Sequence, residues 1–371
     1  MKVFTTYTED LQLLVEGLDH FQFSYLFDYN FITTALKERG AEIMSLSHND
    51  YKDLFYQNKF GLTLNKYMLN SDLIFHNRFL FRQSVASSKD FIKKHRDEVD
   101  WLEIKLNSFI YANYKNKAHG VVPPKQGYGE DIRFKDNLPH ILTSLGIPTP
   151  KLVDGTTYPF YMKHKATSRG AGVYPIKNRE QLEATLVTIL NENIGLRHAE
   201  EILSSYICQE AIDIPTKEQT HFRTICWDKH LLGGAIYVCK NGLQNIIPFK
   251  EERAKKLKRE EGRILDAYNL NGTILPLDIA DYSERIGGYC SRHGSKMVGT
   301  DFVVNKAGKA YCVDVNVDPG LEFYLAHYFD DYSYVKLDLL KAKAGEVNAK
   351  AIMGDYFKNK RLKKKELSLV Y

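Results

Sequence analysis

The sequence predicts a mixed α/β fold, and three patterns in it support that prediction. Two β-branched runs within 298–320 flank the polar turn N-K-A-G at 305–308, an arrangement typical of a β-hairpin. Short strand-like runs alternate with helical stretches over residues 1–128. Before the hairpin, apolar residues recur at the spacing of an amphipathic helix, at Ile279, Tyr282, Ile286 and Tyr289.

Length and composition limit the class of protein. The 371 residues can bury a substantial core and predict two or three domains. No run approaches the roughly 18 apolar residues of a membrane helix. The start of the chain turns polar too early for a signal peptide, so we expect a cytoplasmic protein with no membrane partner. The five cysteines fit neither a disulfide framework nor a zinc motif.

The chain carries a formal net charge of +5, and its basic residues are concentrated in 250–263 and 358–366. A mild basic excess suits an anionic small ligand as well as a nucleic acid. Because the basic runs are short and contain few aromatic residues, we expect no nucleic-acid partner.

The N-terminal region is predicted to form an α/β lobe that ends at a loop rich in glycine and proline at 120–129. Its longest helix is predicted from about 88 to 115, and six apolar residues there predict a packing face rather than a cofactor site. These residues are Phe91, Trp101, Leu102, Leu106, Phe109 and Ile110. A second helix is predicted at 138–145. The segment G-I-P-T-P at 146–150 ends it, since proline cannot continue a helix.

Strands are predicted at 158–163 and 173–176, joined by a loop of small residues. This loop, with S-R-G-A-G at 168–172, is either a plain hairpin connection or a segment whose backbone N–H groups approach an anion. The elements predicted to follow are a helix at 179–192, a strand at 206–212 and a hairpin of strands at 221–227 and 231–238.

Polar groups in the last two hairpins are the first candidates for a site. Arg223 stands inside an apolar strand, where an arginine is more often paired or anion-binding than idle. Asp314 and Asn316 fall on one face of their strand, about 7 Å apart, and Asp301 is available from the partner strand. These oxygen atoms suit Mg²⁺, which completes its shell with water and phosphate oxygens. A solvated hairpin face is the alternative.

In order and spacing, these segments resemble the ATP-grasp superfamily over 131–325, in a layout similar to its RimK-like and glutathione-synthetase-like carboxylate-amine ligases. The resemblance implies an α/β (α+β) ATP-grasp fold in which the nucleotide lies between two antiparallel-sheet subdomains, preceded by an N-terminal α/β lobe. The implied divisions are the lobe at 1–128, a small lid subdomain at 129–215, a large subdomain with the metal site at 216–345 and a basic helical tail at 346–371.

The resemblance also assigns site residues. It implies that Lys135 and Lys163 bind the phosphates of ATP, and that the backbone of Q-E-A-I at 209–212 binds adenine. Arg223 would lie near the transferred phosphate and the acyl group. The loop that closes over the phosphates would contain Ser168, Arg169, Gly170 and Gly172. The base and ribose would be bound around Gln209, Glu210, Ile212 and Asp213. Two Mg²⁺ ions, with Mn²⁺ as an alternative, would be held by Asp301, Asp314 and Asn316.

Three positions depart from the family pattern. Asp314 stands where glutamate is usual, Phe134 where aspartate is common, and Arg169 lies in the closing loop. Because Asp314 has the shorter side chain, its bridging of two metal ions stays open.

The function implied is an ATP-dependent carboxylate-amine ligase that forms an amide or peptide bond through an acyl phosphate and releases ADP and phosphate. Its partners would be two substrates: a carboxylate, which is either a small molecule or a peptide, and an amine. A homo-oligomer stays open. The alternatives are a kinase of the same fold acting on a small-molecule hydroxyl, and a nucleotide-binding regulator without turnover.

Overall fold

The computed structural model describes most of the chain outside its C-terminal region. The described residues are 1–7, 32–33, 36–37, 39–56, 59–87, 92–123, 131–165, 172–192, 199–214, 219–240, 243–248, 267–270, 273–317 and 319. The predicted basic segment at 250–263 and the predicted tail at 346–371 lie outside them. None of the helices in the described ranges is long and apolar enough to cross a bilayer.

Four parallel strands form the sheet of the N-terminal lobe. In spatial order they are β2 (Glu42–Ser45), β1 (Lys2–Thr5), β3 (Leu73–Phe75) and β4 (Ala118–His119). The helices around them are α1 (His48–Tyr56), α2 (Phe60–Met68), α3 (Arg78–Ser87) and α4 (Ile92–Tyr114). Phe4 and Ile74 from the strands pack with Leu102 and Leu106 of α4, all fully buried. The predicted α/β lobe is confirmed.

The packing face of α4 is narrower than predicted. Leu102, Leu106 and Ile110 follow at intervals of four residues and are fully buried. Trp101 is 53% exposed instead, and the ammonium of Lys105 lies 3.4 Å from the centre of its ring. The prediction for Trp101 is wrong because a residue next to the buried stripe is rotated by about 100° from it.

A second sheet, called here the small sheet, has four antiparallel strands. They are, in spatial order, β5 (Leu152–Val153), β8 (Tyr206–Glu210), β6 (Phe160–His164) and β7 (Val173–Ile176). Two helices supply Ile189 and Ile202 to the core on one face, where they pack with Phe160 and Met162. These helices are α6 (Arg179–Glu192) and α7 (Ala199–Ser204).

The third sheet, the large sheet, has five antiparallel strands. In spatial order they are β11 (Leu243–Pro248), β10 (His230–Lys240), β9 (Gln219–Trp227), β14 (Met297–Val304) and β15 (Ala310–Asn316). The helices α5 (Leu138–Ser144) and α8 (Leu277–Arg292) contribute Leu142 and Ile286 to one core with Val298 and Phe302. A separate hairpin consists of β12 (Ala267–Leu270) and β13 (Thr273–Pro276).

The predicted hairpin is the β14–β15 pair. Its turn ends at Gly308, whose φ of +82° favours glycine, and whose N–H donates to the Asn305 carbonyl at 2.9 Å. A register shift follows Asp301, which faces Asp314, because the next pair is Phe302 with Cys312. The extra residue of this β-bulge changes the phase of the strand, so Cys312 enters the core while Asp314 faces the other side.

Among the described residues, three peptide-to-peptide hydrogen bonds join the small-sheet and large-sheet parts of the chain. The Cys312 N–H donates to the Pro148 carbonyl at 2.8 Å, and the Lys306 N–H donates to the Asp213 carbonyl at 3.0 Å. The Lys135 N–H donates to the carbonyl of residue 165 at 3.1 Å.

The N-terminal lobe meets the large sheet at one end of β9. The ring of Trp227 lies 6.1 Å from that of Phe75 and 6.2 Å from that of His119, measured between centres. Nearby, the Val121 N–H donates to the Gly294 carbonyl at 3.2 Å. The end of β9 at Trp227 thus lies against the carboxyl ends of β3 and β4.

Candidate functional site

A row of three charged side chains crosses the large sheet on the face opposite its helices. Asp301 on β14 pairs with Arg223 on β9 in one direction and with Asp314 on β15 in the other. Directly opposed residues of antiparallel strands share a face, so these side chains stand side by side. The row would not exist without the β-bulge, because the phase of β15 decides the face on which Asp314 lies.

Arg223 and Asp301 form a two-point ion pair. The guanidinium donates from Nε to Oδ1 at 2.6 Å and from Nη2 to Oδ2 at 2.5 Å. Asp301 is buried, whereas about a quarter of the Arg223 side chain is exposed. The prediction that an arginine inside an apolar strand has a partner is thus met by Asp301, 78 residues away in sequence.

The Asp314 carboxyl occupies an electrostatically unfavourable position. Burial raises its pKa, and the neighbouring Asp301 raises it further, against the opposing charges of Lys135, Lys163 and Arg223. One carboxylate oxygen accepts a hydrogen bond from the Val315 N–H at 3.1 Å. A cation placed between the two carboxylates would relieve this repulsion.

Two lysines approach this row from the other side of the site. Lys135 precedes α5 and is buried, with its ammonium donating to the His164 carbonyl at 3.3 Å. Lys163 lies on β6, on the face of the small sheet away from its helices. Burial lowers the pKa of both ammonium groups, against the attraction of Asp314. The structure thus brings together both predicted lysines and the predicted acidic pair.

Gln209 supplies a second sign that this face binds a polar ligand. It is 1% exposed, and neither its amide nitrogen nor its amide oxygen has a hydrogen-bond partner in the described part of the chain. Gln209 lies two residues along β8 from Ile207, which pairs with Lys163. The side chains of Gln209 and Lys163 therefore lie on the same face of the small sheet. An unpaired buried amide costs on the order of 1–3 kcal/mol unless a ligand satisfies it.

Tyr161 lies beside Gln209 and Lys163 on the same face of the small sheet. It pairs with Gln209 across the strands, and the Lys163 ammonium lies 5.9 Å from the centre of its ring. Burial raises the pKa of its hydroxyl group. The two-residue period of β6, counted back from Lys163, places it on this face.

The segment predicted to bind base and ribose follows β8. The Glu210 carboxylate accepts a hydrogen bond from the Lys151 N–H at 3.0 Å, and Ile212 is partly buried. The Asp213 carboxylate forms an exposed ion pair with Lys306 at 2.8 Å. Adenine binding by this segment and ribose binding by Asp213 stay predictions.

Only the end of the predicted phosphate loop is described. Gly172 has a φ of +66°, which favours glycine, and its carbonyl accepts the His164 N–H at 2.8 Å. It thereby closes the base of the β6–β7 hairpin. Ser168, Arg169 and Gly170 lie outside the described residues.

The donor set fits a magnesium-bound polyphosphate better than a metal ion alone. No group of three or more His, Cys, Asp or Glu side chains converges as a metal site in the described ranges. Asp314 and the nearby Asn316 can offer oxygen ligands, and Mg²⁺ commonly takes the rest of its shell from phosphate and water. Three basic and two acidic side chains meet here, which leaves a positive excess for phosphate oxygens.

Comparison with known proteins gives matches by structure only. No protein-family model matches the chain, and no curated protein matches its sequence. Among solved structures, it is similar to D-alanine–D-alanine ligase from Bacillus anthracis, with 13% identity, a TM-score of 0.44 and coverage of 94% of this chain and 100% of that one. It is similar to the ATP-grasp ligase PsnB, with 12% identity, a TM-score of 0.44 and coverage of 86% and 90%. It is also similar to an L-amino acid ligase from Bacillus licheniformis, with 12% identity, a TM-score of 0.39 and coverage of 89% and 69%.

The arrangement of the sheets and helices defines the fold of the chain. An N-terminal α/β lobe precedes two antiparallel sheets, each covered by helices on one face. The opposite faces carry the charged residues that act on one another. The chain thus has the predicted mixed α/β fold, with an N-terminal α/β lobe followed by two antiparallel sheets.

Proposed function

We propose that this protein is an ATP-dependent carboxylate-amine ligase. One observation carries the proposal: Lys135 and Lys163 meet the row of Arg223, Asp301 and Asp314 closely enough to act on the pKa of Asp314. Phosphoryl transfer depends mainly on positioning and on neutralising charge, which lysine, arginine and carboxylate-bound Mg²⁺ provide.

In the proposed reaction, a carboxylate oxygen of one substrate attacks the γ-phosphorus of ATP, and the bond from that phosphorus to ADP breaks. The nitrogen of the amine substrate then attacks the acyl carbon, phosphate leaves, and the amine loses a proton. Lys135 and Lys163 bind the phosphates, while Arg223 orients the carboxylate and the transferred group. Asp314, Asn316 and Asp301 would hold Mg²⁺, which would supply charge neutralisation for the phosphates.

The decisive experiment follows oxygen atoms. The full-length chain is first screened for ADP release against pools of carboxylates and amines, and product masses identify the pair. The carboxylate is then supplied with ¹⁸O in its carboxyl group. An acyl-phosphate route moves one labelled oxygen into the released phosphate, and ADP release requires the amine.

Each alternative gives a different result in the same assay. A kinase would leave a stable phosphorylated product and release no labelled phosphate. A nucleotide-binding regulator would bind ATP without amine-dependent ADP release. Either result would exclude the ligase.

A further inference from the structure

The Asp301 carboxylate already has a cationic partner, which affects how a metal ion and an anion could bind at this site. Both of its oxygens accept hydrogen bonds from Arg223, so the acid proposed to hold Mg²⁺ already has a cation in place. A guanidinium fixed by two parallel hydrogen bonds is a well-matched partner for a carboxylate. A divalent ion that approaches Asp301 from this side meets a positive charge.

We propose that Arg223 is the resident counter-ion of Asp301 and exchanges partners when the site is loaded: a divalent cation takes over the carboxylate, and the released guanidinium binds an anionic group of the substrates. This inference rests on the proposed function of the same site. It assigns Arg223 two successive positions and makes cation binding and anion binding mutually dependent.

The layout of the sheet supports such an exchange. Asp301 lies between Arg223 on one side and Asp314 on the other, so the guanidinium charge also lies near Asp314. In the absence of a metal ion, Arg223 therefore offsets part of the repulsion between the two acids. A metal ion would do the same, so one can replace the other.

The exchange needs only side-chain motion. Arg223 and Asp301 are held in register on neighbouring strands, and the guanidinium end of a long side chain can rotate without moving them. About a quarter of the Arg223 side chain is exposed, so its guanidinium is not enclosed by the protein on every side. Asp301, buried and shorter, stays in place as the ligand.

The exchange can be measured because it links the binding of the cation to the binding of the anion. If a cation on Asp301 releases Arg223, bound cation must raise the affinity for an anion, and bound anion must raise the affinity for the cation by the same factor. A fixed ion pair would give no such dependence through Arg223.

The test uses the full chain, with Mn²⁺ alone and inorganic phosphate alone as probes in equilibrium dialysis. Arg223→Gln removes the counter-ion, and we expect it to bind Mn²⁺ about tenfold more tightly than the wild type when phosphate is absent. Asp301→Asn releases the guanidinium, and we expect tighter phosphate binding when Mn²⁺ is absent. In the wild type, each probe should tighten the binding of the other, and Arg223→Gln should reduce this effect.

The chain offers a matched control in Arg133. This arginine also forms a two-point ion pair, with Asp131, at 2.8 Å and 2.5 Å. Arg133→Gln should leave Mn²⁺ affinity unchanged. If Arg223→Gln does not fold, Arg223→Lys replaces it and should bind Mn²⁺ with an affinity between those of the wild type and the value expected for glutamine.

An Arg223 variant that folds but binds Mn²⁺ no better than the wild type, or not at all, overturns the exchange. Weaker phosphate binding by Asp301→Asn does so too. Neither result touches the ligase, which is judged by amine-dependent ADP release and the oxygen label. Conversely, a chain with linked Mn²⁺ and phosphate binding but no turnover would retain the exchange and lose the ligase.

Discussion

Several site residues destabilise the folded chain on their own. Burial lowers the pKa of Lys135 and Lys163 and raises that of Asp314, so each charged form is disfavoured by folding. The buried amide of Gln209 lacks a partner in the described structure. Such costs are common where a protein holds groups ready for a ligand.

Lys163→Met should therefore stabilise the free protein while weakening nucleotide binding. A lysine with a lowered pKa favours the unfolded state at neutral pH, because the unfolded chain carries the proton more readily. Removing the charge should raise the free energy of unfolding in urea by on the order of 1 kcal/mol. ATP affinity, measured by calorimetry with Mg²⁺, should fall by at least about tenfold.

The exposed Lys177 gives the control for this substitution. Lys177→Met should change neither unfolding nor ATP affinity. If Lys163→Met binds ATP as tightly as the wild type, the lysine does not contact the phosphates and the nucleotide site is wrongly placed.

For single residues, the sequence predicted the place of a side chain in the fold better than it predicted which residue that side chain pairs with. The two-residue period of a strand was enough to place Asp314 and Asn316 on one face. Asp301 stands directly opposite Asp314 only because of the β-bulge, which the sequence did not predict. The sequence alone could not predict the pairing of Arg223 with Asp301, because 78 residues separate them and only the order of strands in the sheet makes them neighbours.

Among the elements, α8 shows how close packing depends on a single missing side chain. Gly287 faces the turn between β9 and β10, and a Cβ there would lie 2.2 Å from the Asp228 carbonyl oxygen. At the next position, Gly288, a Cβ would lie 3.7 Å from its nearest neighbour on Lys229, an ordinary contact. These adjacent glycines thus differ in what they allow.

Gly287→Ala should destabilise the protein by about 2 kcal/mol or more, because backbone would have to move away from the new methyl group. Gly288→Ala should instead stabilise it by about 0.5 to 1 kcal/mol, the usual gain from replacing glycine within a helix. Urea unfolding of the two variants decides the point. Equal effects on the two would mean that α8 does not pack as described.

Element boundaries were largely predictable, and the exceptions have physical causes. The helix at 179–192 and the strand at 173–176 match the structure residue for residue. The strand predicted at 206–212 ends at Glu210. The β-bulge in β15 was not predictable from hydrophobic alternation, because Cys312 and Asp314 differ by two residues and would otherwise share a face.

For the whole molecule, the junction between the N-terminal lobe and the large sheet should be sensitive to acid. Burial lowers the pKa of His119 to about 3, and the charge of Lys296 contributes in the same direction. The unfolded chain takes up a proton near the ordinary value of 6.5, so stability is lost as the pH falls below that value.

His119→Asn should reduce this acid sensitivity. Between pH 6.5 and 5, protonation of the unfolded histidine costs the wild type ~2 kcal/mol, which the variant should not lose. The measurement compares urea unfolding at pH 7.5 and pH 5 and uses the change between them, since the substitution also alters packing. His140→Asn, at an exposed position, is the control and should keep the acid sensitivity of the wild type. An unaltered pH dependence in His119→Asn would contradict the assignment.

The arrangement of the three sheets shows the limit of prediction from one sequence. The order of elements indicated which strands exist, and the family resemblance implied how they are grouped. The contact of Phe75 and His119 with Trp227 had no sequence signal, because aromatic residues in strands pack equally well inside one domain or between two.

The three peptide hydrogen bonds between the small-sheet and large-sheet parts also bear on how the protein can vary. Because both donor and acceptor belong to the main chain, most substitutions at Lys135, Lys306 or Cys312 leave the joint intact. Proline is different, since it has no N–H to donate. The joint therefore tolerates most substitutions and is vulnerable to proline at these three positions, so side chains beside it can change without breaking it.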